Sequence, residues 1–280
     1  MSWFDPYHVA SASLKSARPP AVAGAFYPAR PAQLQAAVDD YIQSADLPPL
    51  KGEVRAVIAP HAGYVYSGPI AGHSFRALAP LPENATVFLM GPAHYVPVPE
   101  VALGYFRTIE TPLGAIPVDD KIVQELAESA SCLRIQNEAH MPEHSLEVEL
   151  PFLQRIASDN FTVVPMLFGQ PDGECVARAL LPYIADHPQA RIVVSSDLSH
   201  YHPYRTAQQL DTAFLDAVLQ GDTVAAARGE ACGRFPILAL MLLAETLGWT
   251  PHLLDYRNSG DTAGDKRQVV GYASIAYTEE

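Results

Sequence analysis

No stretch of this chain is apolar for long enough to cross a membrane. Its most hydrophobic run, Phe235-Pro-Ile-Leu-Ala-Leu-Met-Leu-Leu-Ala244, is far short of the roughly 18–20 residues that a spanning helix needs, and reads as a core helix. Positive charge is also scarce. Lys and Arg number 18 against 31 Asp and Glu, a formal net charge of −13, which excludes nucleic acid and anionic membrane as partners because both demand a basic footprint. The three cysteines, Cys132, Cys175 and Cys232, are an odd and widely spaced set. They predict no disulfide framework and a reducing, cytoplasmic compartment. The first twenty residues lack the apolar segment of a secretory signal. Nucleotide-binding and α/β-hydrolase readings are weak, since Gly-x-Gly-x-x-Gly, Gly-x-x-x-x-Gly-Lys and Gly-x-Ser-x-Gly are missing. No internal repeat or low-complexity tract interrupts the chain. What is present is a globular composition of 49% hydrophobic and 18% charged residues over 280 positions, expected to fold as a soluble protein.

Hydrophobic periodicity orders the elements. Residues 1–20 read as an irregular arm and 21–280 as one domain. Helices are expected near 32–44, 69–78, 119–129, 145–156, 173–185, 204–219, 223–228 and 236–247. Strands are expected near 54–59, 86–90, 101–106, 161–167, 191–196, 252–257 and 269–277. Strands alternating with amphipathic helices indicate an α/β fold, with a mostly parallel or mixed central sheet covered by helices on both faces.

Three of the expected strands run into residues that carry chemistry: Val54–Ala59 into His61, Thr86–Met90 into His94, and Arg191–Ser196 into Asp197 and His200. Ligands of open parallel sheets bind just outside the carboxyl ends of the strands. His61 and His94 occupy equivalent positions separated by one helix, which brings two imidazoles near one point. Cys232 precedes the apolar helix, where the backbone dipole lowers a thiol's pKa; it is a third metal ligand or a nucleophile. In Asp197-Leu-Ser-His200 the carboxylate can fix the imidazole and raise its basicity, or Asp197 can simply cap the next stretch of backbone. Glu143 or Ser145 can cap the helix running to Ile156, with His144 at its start facing the sheet edge. Pro142 prevents His140 and His144 from sharing a helical face, so they are no ligand pair. His8, His73, His187, His202 and His252 read as surface or packing residues, and Cys132 and Cys175 as small buried side chains. Gly260–Asp265 reads as a turn.

Taken in order, several segments resemble the Memo family, whose prokaryotic members are called component B of the AmmeMemoRadiSam system. They are Val22-Ala-Gly-Ala-Phe-Tyr-Pro28, Ala59-Pro-His-Ala-Gly-Tyr64, Gly91-Pro-Ala-His-Tyr-Val-Pro97, Glu143-His-Ser-Leu-Glu-Val-Glu-Leu-Pro151, Ser195-Ser-Asp-Leu-Ser-His200, Cys232-Gly-Arg-Phe-Pro236 and Ser259-Gly-Asp261 with Val269-Val-Gly-Tyr272. The resemblance spans about residue 18 to the C-terminus. That family is similar to class III extradiol ring-cleaving dioxygenases, which use non-haem Fe(II). The resemblance implies a dioxygenase-like fold, with His61, His94 and Cys232 as metal ligands and Cys232 where those enzymes carry a carboxylate. It also implies that His200 is the acid/base, with Asp197 and His144 lining the same pocket. Iron or copper binding, and phosphopeptide binding in animal members, are implied as well.

Together these readings predict a metal-dependent oxidoreductase acting on a small organic substrate with O₂, with Fe(II) as the ion and Cu or Zn as rivals. A radical-SAM protein is an implied pathway partner. Two alternatives stay open: a metal- or peptide-binding protein without turnover, and a zinc hydrolase with Asp197 or His200 activating a bound water. A thiolate is softer than a carboxylate and also suits Cu(I) and Zn(II).

Overall fold

The computed structural model describes residues 13–158 and 160–280; His8 lies outside them. In chain order the elements begin with β1 (Lys15–Arg18), α1 (Pro31–Ser44), β2 (Glu53–Ala59), α2 (Tyr64–Leu78) and β3 (Thr86–Pro92). They continue with β4 (Val101–Leu103), β5 (Phe106–Thr111), β6 (Gly114–Pro117), α3 (Asp120–Ser129), β7 (Leu133–Ile135), α4 (Asn137–His140) and, after a single 3₁₀ turn at Glu147–Glu149, α5 (Leu150–Ile156). Next come β8 (Thr162–Phe168), α6 (Gly173–Ala185), β9 (Ala190–Ser195), β10 (His200–His202), α7 (Tyr204–Leu219) and α8 (Thr223–Ala226). The chain closes with α9 (Arg234–Leu247), β11 (Thr250–Asn258), α10 (Ser259–Thr262) and β12 (Val269–Glu279).

The α/β class expected from the periodicity is what forms. The main sheet runs β10-β12-β2-β9-β3-β8-β4-β7, with β11 on β12. Its centre, β2-β9-β3-β8, is parallel, while β12 and β4 join antiparallel on either side. The central strands are buried end to end, which is why they read as continuous Val/Ile/Leu runs and not as alternating ones. The connection β2–α2–β3 steps across the sheet one way and β8–α6–β9 steps back. Right-handed crossovers then put α2 and α6 on opposite faces.

The strand order corrects one expectation about the site. His61 and His94 were read as strand-end residues separated by one helix, the spacing of a crossover between adjacent strands, but β9 lies between β2 and β3. The two strands are therefore about 10 Å apart, two strand spacings, and both imidazoles lean inward over the end of β9. The crossover skips a position because β9, which comes much later in the chain, fills it.

Several elements differ from their sequence pattern for local reasons. The expected helix at 69–78 starts instead at Tyr64, with Pro69 inside it. Tyr64 N–H donates to Phe26 O (2.8 Å) and Tyr64 Oη–H to Val148 O (2.6 Å), and these tertiary bonds hold the earlier start. The expected strand 101–106 breaks at Gly104: β4 stays in the main sheet, and β5 leaves to form a small sheet, β1-β5-β6. Within the arm expected to be irregular, Lys15–Arg18 pairs in parallel with β5.

The cysteine reading is overturned. Cys132, before β7, and Cys175, on α6, are disulfide-bonded with their Cα atoms 6.4 Å apart, leaving Cys232 as the free thiol among the described residues. Spacing along the chain carried no sign of this, because the two positions meet only when α6 packs back beside the β7 edge. Cysteine usage therefore gives no ground for a reducing compartment. No helix among the described residues is long and apolar enough to cross a membrane.

Candidate metal centre

Each proposed ligand is delivered by a different element. His61 follows β2, His94 follows β3, and Cys232 stands two residues before α9. The fold brings one ligand atom from each within 4.8 Å of the others. Cys232 Sγ is 3.3 Å from His61 Nε2, and the His61 and His94 rings are 5.3 Å apart, edge to face. His61 is buried, whereas the His94 side chain is 29% exposed and forms the mouth.

Both imidazoles are gripped through Nδ1. His94 Nδ1 lies 2.8 Å from Glu143 Oε1, and its backbone N–H donates to Glu143 Oε2 (2.6 Å). His61 Nδ1 lies 2.8 Å from Ser195 Oγ at the end of β9. With Nδ1 engaged on each ring, Nε2 is the nitrogen left to offer a lone pair, and this is how protein ligands to metals are usually oriented. The donor set of two imidazoles and one sulfur, with a carboxylate and a hydroxyl behind it, fits a borderline or soft transition metal.

Cys232 is held against β9 by its own backbone. Its N–H donates to Asp197 O (3.2 Å), Gly233 N–H donates to Ser196 Oγ (2.9 Å), and Asp197 N–H points at Sγ (3.1 Å). The approach is so close that a Cβ on Gly233 would sit 2.7 Å from Ser195 O and 2.5 Å from Ser196 Cβ, so only glycine fits after the cysteine. The lowered thiol pKa expected from the helix start is not found. Burial pushes it well up, and the nearby Asp197 charge adds to this, outweighing the hydrogen bonds that favour thiolate. Desolvation wins over the dipole here, so a metal has to displace a proton to bind.

The other three sequence candidates face the same cleft, of about 850 Å³, which His61 and His94 also line. His144 stacks on His94 at 4.6 Å and meets His61 edge-on at 5.4 Å; burial lowers its pKa to about 4. Asp197 is buried, and burial raises its pKa to about 7 against the pull of two N–H donors. Those donors correct one expectation. Asp197 Oδ1 takes His61 N–H (2.8 Å) and Ala62 N–H (3.3 Å), and no hydrogen bond joins it to His200 among the described residues. It fixes the His61 loop and does not orient His200, whose pKa burial lowers. Phe26, Tyr66, Tyr201 and Tyr272 supply aromatic wall and rim, and among the described residues no Lys or Arg lines the cleft. On their other side, His94 and Cys232 border a second opening of about 560 Å³.

Four other histidines among the described residues make contacts outside this cluster. His140 is buried with Nε2 on Ala102 O (3.0 Å), apart from the ligand set. His73 contacts Pro69 O, His202 contacts Glu230 and His252 contacts Thr278. Sequence reasoning missed the supporting groups Glu143, Ser195 and Glu149. Glu143 was read only as a cap. It does bind His144 N–H and Ser145 N–H, but its carboxyl also holds His94. The one readable signal was three glutamates, 143, 147 and 149, inside an otherwise apolar segment.

A sequence profile of Memo-like proteins matches residues 18–276. A MEMO1 family protein of Sulfolobus acidocaldarius is 35% identical over 280 aligned residues, covering 93% of this chain and 99% of the relative. One from Saccharolobus solfataricus is 35% identical over 291 residues, with 93% and 99% covered. Another, from Metallosphaera sedula, is 36% identical over 286 residues, with 94% and 99% covered. On this match and on its α/β architecture, the chain belongs to the Memo family.

Proposed function

We propose that this protein is a metal-dependent oxidoreductase of the dioxygenase-like kind, acting on a small organic substrate. The observation that carries the reading is the convergence of His61, His94 and Cys232, both rings held at Nδ1, beside a cleft of about 850 Å³ that the two histidines line. His61 Nε2, His94 Nε2 and Cys232 Sγ would hold Fe(II), with copper as the rival ion because a thiolate suits it. When bound, such an ion supplies open positions for substrate and O₂ and a redox couple.

The chain's own residues divide the remaining work. Asp197, through the His61 and Ala62 backbone, keeps the first ligand loop in place. Cys232 gives up its proton on loading. His200, at the cleft wall, is kept in its basic form by burial and takes a proton from the substrate. His144, stacked on His94, is neutral at pH 7 and can donate or accept a hydrogen bond at a substrate polar atom. The aromatic walls at Phe26 and Tyr66 shelter the substrate from water. A lining without cationic side chains favours a neutral or cationic substrate over a phosphorylated one.

The test is metal analysis of anaerobically prepared wild type and His94→Ala, followed by O₂ uptake by the loaded protein. We expect about one iron or copper per wild-type chain and loss of it in the variant. Equal metal content in the two proteins sinks the reading. Metal without O₂ uptake, across a panel of small aromatic and amine compounds, leaves a metal-binding protein without turnover.

A further inference from the structure

Ser195 Oγ has three polar neighbours at hydrogen-bond distance: His61 Nδ1 at 2.8 Å, Ser145 O at 2.7 Å and Glu149 Oε1 at 2.7 Å. All four residues are buried, and Ser145, Glu149 and Ser195 are fully so. A hydroxyl has one hydrogen to give and two lone pairs to receive. Ser145 O is a carbonyl and can only accept, so it takes the hydroxyl hydrogen. Both lone pairs then remain, and the other two neighbours must be donors. An ionised Glu149 would have to take that same hydrogen, and Ser145 O would face a bare oxygen at 2.7 Å. One assignment alone satisfies all three contacts: His61 carries its proton on Nδ1, and Glu149 carries one on Oε1.

We infer that Glu149 is an un-ionised carboxylic acid that donates its O–H to Ser195, and so leaves the Ser195 hydrogen to Ser145 O and a lone pair to His61. The inference rests on the metal-centre reading for its purpose, though not for its geometry. With the Ser195 hydrogen held by Ser145 O and one lone pair held by Glu149, only an acceptor lone pair is left facing His61. The ring is locked as the Nδ1–H tautomer, and Nε2, 3.3 Å from Cys232 Sγ, keeps its lone pair for a metal. Two further facts agree. Glu149 Oε2 is buried with no partner, which suits a neutral carbonyl oxygen and would be costly for a carboxylate. Burial also drives the Glu149 carboxyl well above the ordinary range, against the Ser195 hydrogen bond, and the Asp197 charge adds to the rise.

Three readouts test this, two of them on metal-free protein. In infrared difference spectra at neutral pH, wild type minus Glu149→Gln should contain an un-ionised carboxyl band; its absence overturns the protonation state. By nitrogen NMR, His61 should be the Nδ1–H tautomer in wild type and in Glu149→Gln, whose amide can still donate to Ser195. In Glu149→Leu the Ser145 carbonyl still holds the Ser195 hydrogen, and the tautomer should persist. Ser195→Ala removes the acceptor that faces Nδ1, and there the tautomers should mix. A His61 tautomer unchanged in Ser195→Ala overturns the role given to the Ser195 lone pair. Co(II) titration then links the result to the site: Ser195→Ala should weaken binding roughly 10–100-fold, as loss of a group behind a ligating imidazole commonly does. Wild type that binds no Co(II) while passing the first two readouts sinks the metal reading and leaves the Glu149 assignment standing.

Discussion

Among single residues, Glu143 does the most for the site per atom. Its carboxylate receives the His94 backbone N–H, the His94 ring and the backbone N–H groups of His144 and Ser145. Burial works against its charge, but the His94 bonds outweigh burial and bring the pKa down to about 2. Glu143→Gln keeps the shape and an acceptor oxygen but removes the charge that makes His94 a strong donor through Nε2. Metal affinity should fall roughly 10–100-fold with little loss of fold; Co(II) competition titration with circular dichroism checks it, and a change under twofold refutes it. The convergence of His61, His94 and Cys232 was legible in the sequence because strand ends and a helix start are positional signals. Glu143, Ser195 and Glu149 were not, because an outer contact depends on which strand lies between two others. β9 between β2 and β3 is a long-range fact that no local window contains.

At the scale of elements, the segment 140–149 that carries His144 and Glu143 is tied to the N-terminal strand. The buried Arg18 guanidinium contacts Glu147, Glu143 O and His140 O, while Glu147 also takes Ala21 N–H (2.7 Å), Val22 N–H (3.0 Å) and Tyr27 Oη–H (2.6 Å). Strand β1 was invisible to periodicity, since four residues with a polar pattern carry no period. Its anchoring shows instead in Arg18 and Glu147, two charges buried only because they meet. The same knot predicts a pH response. His140 is buried, and burial lowers its pKa from 6.5 to about 4. The unfolded chain therefore takes up a proton near pH 6.5 that the folded chain refuses until about pH 4. Stability from this group is complete above pH 6.5 and falls as the pH drops between those values, by about 3 kcal/mol in all. His140→Gln retains a donor for Ala102 O without the titration. Between pH 7 and 4.5 its unfolding free energy in urea should drop by about 2–3 kcal/mol less than that of wild type. Parallel pH curves for the two proteins would refute it.

For the molecule as a whole, stability and site chemistry sit at different parts of the sheet. The central parallel strands were readable from their apolar runs, and the α/β class followed from them; the Cys132–Cys175 link was not, because it joins parts 43 residues apart through a packing contact. That link ties the β7 edge to α6, and β7 is three strands from β3, about 14 Å at ordinary strand spacing. Closing a loop of this length stabilises the fold by about 4 kcal/mol through the unfolded chain's lost entropy. For a protein of this size each kcal/mol corresponds to roughly 2–4 °C, so Cys132→Ala/Cys175→Ala should melt roughly 8–16 °C below wild type. The double variant leaves His61, His94 and Cys232 untouched, so its Co(II) affinity below the melting range should match wild type. A melting point within about 2 °C of wild type would mean that the link contributes little; a parallel loss of metal affinity would mean that the disulfide and the proposed ligands move as one body, coupled through β4, β8 and β3 or through α6 and the helix α9 that follows Cys232.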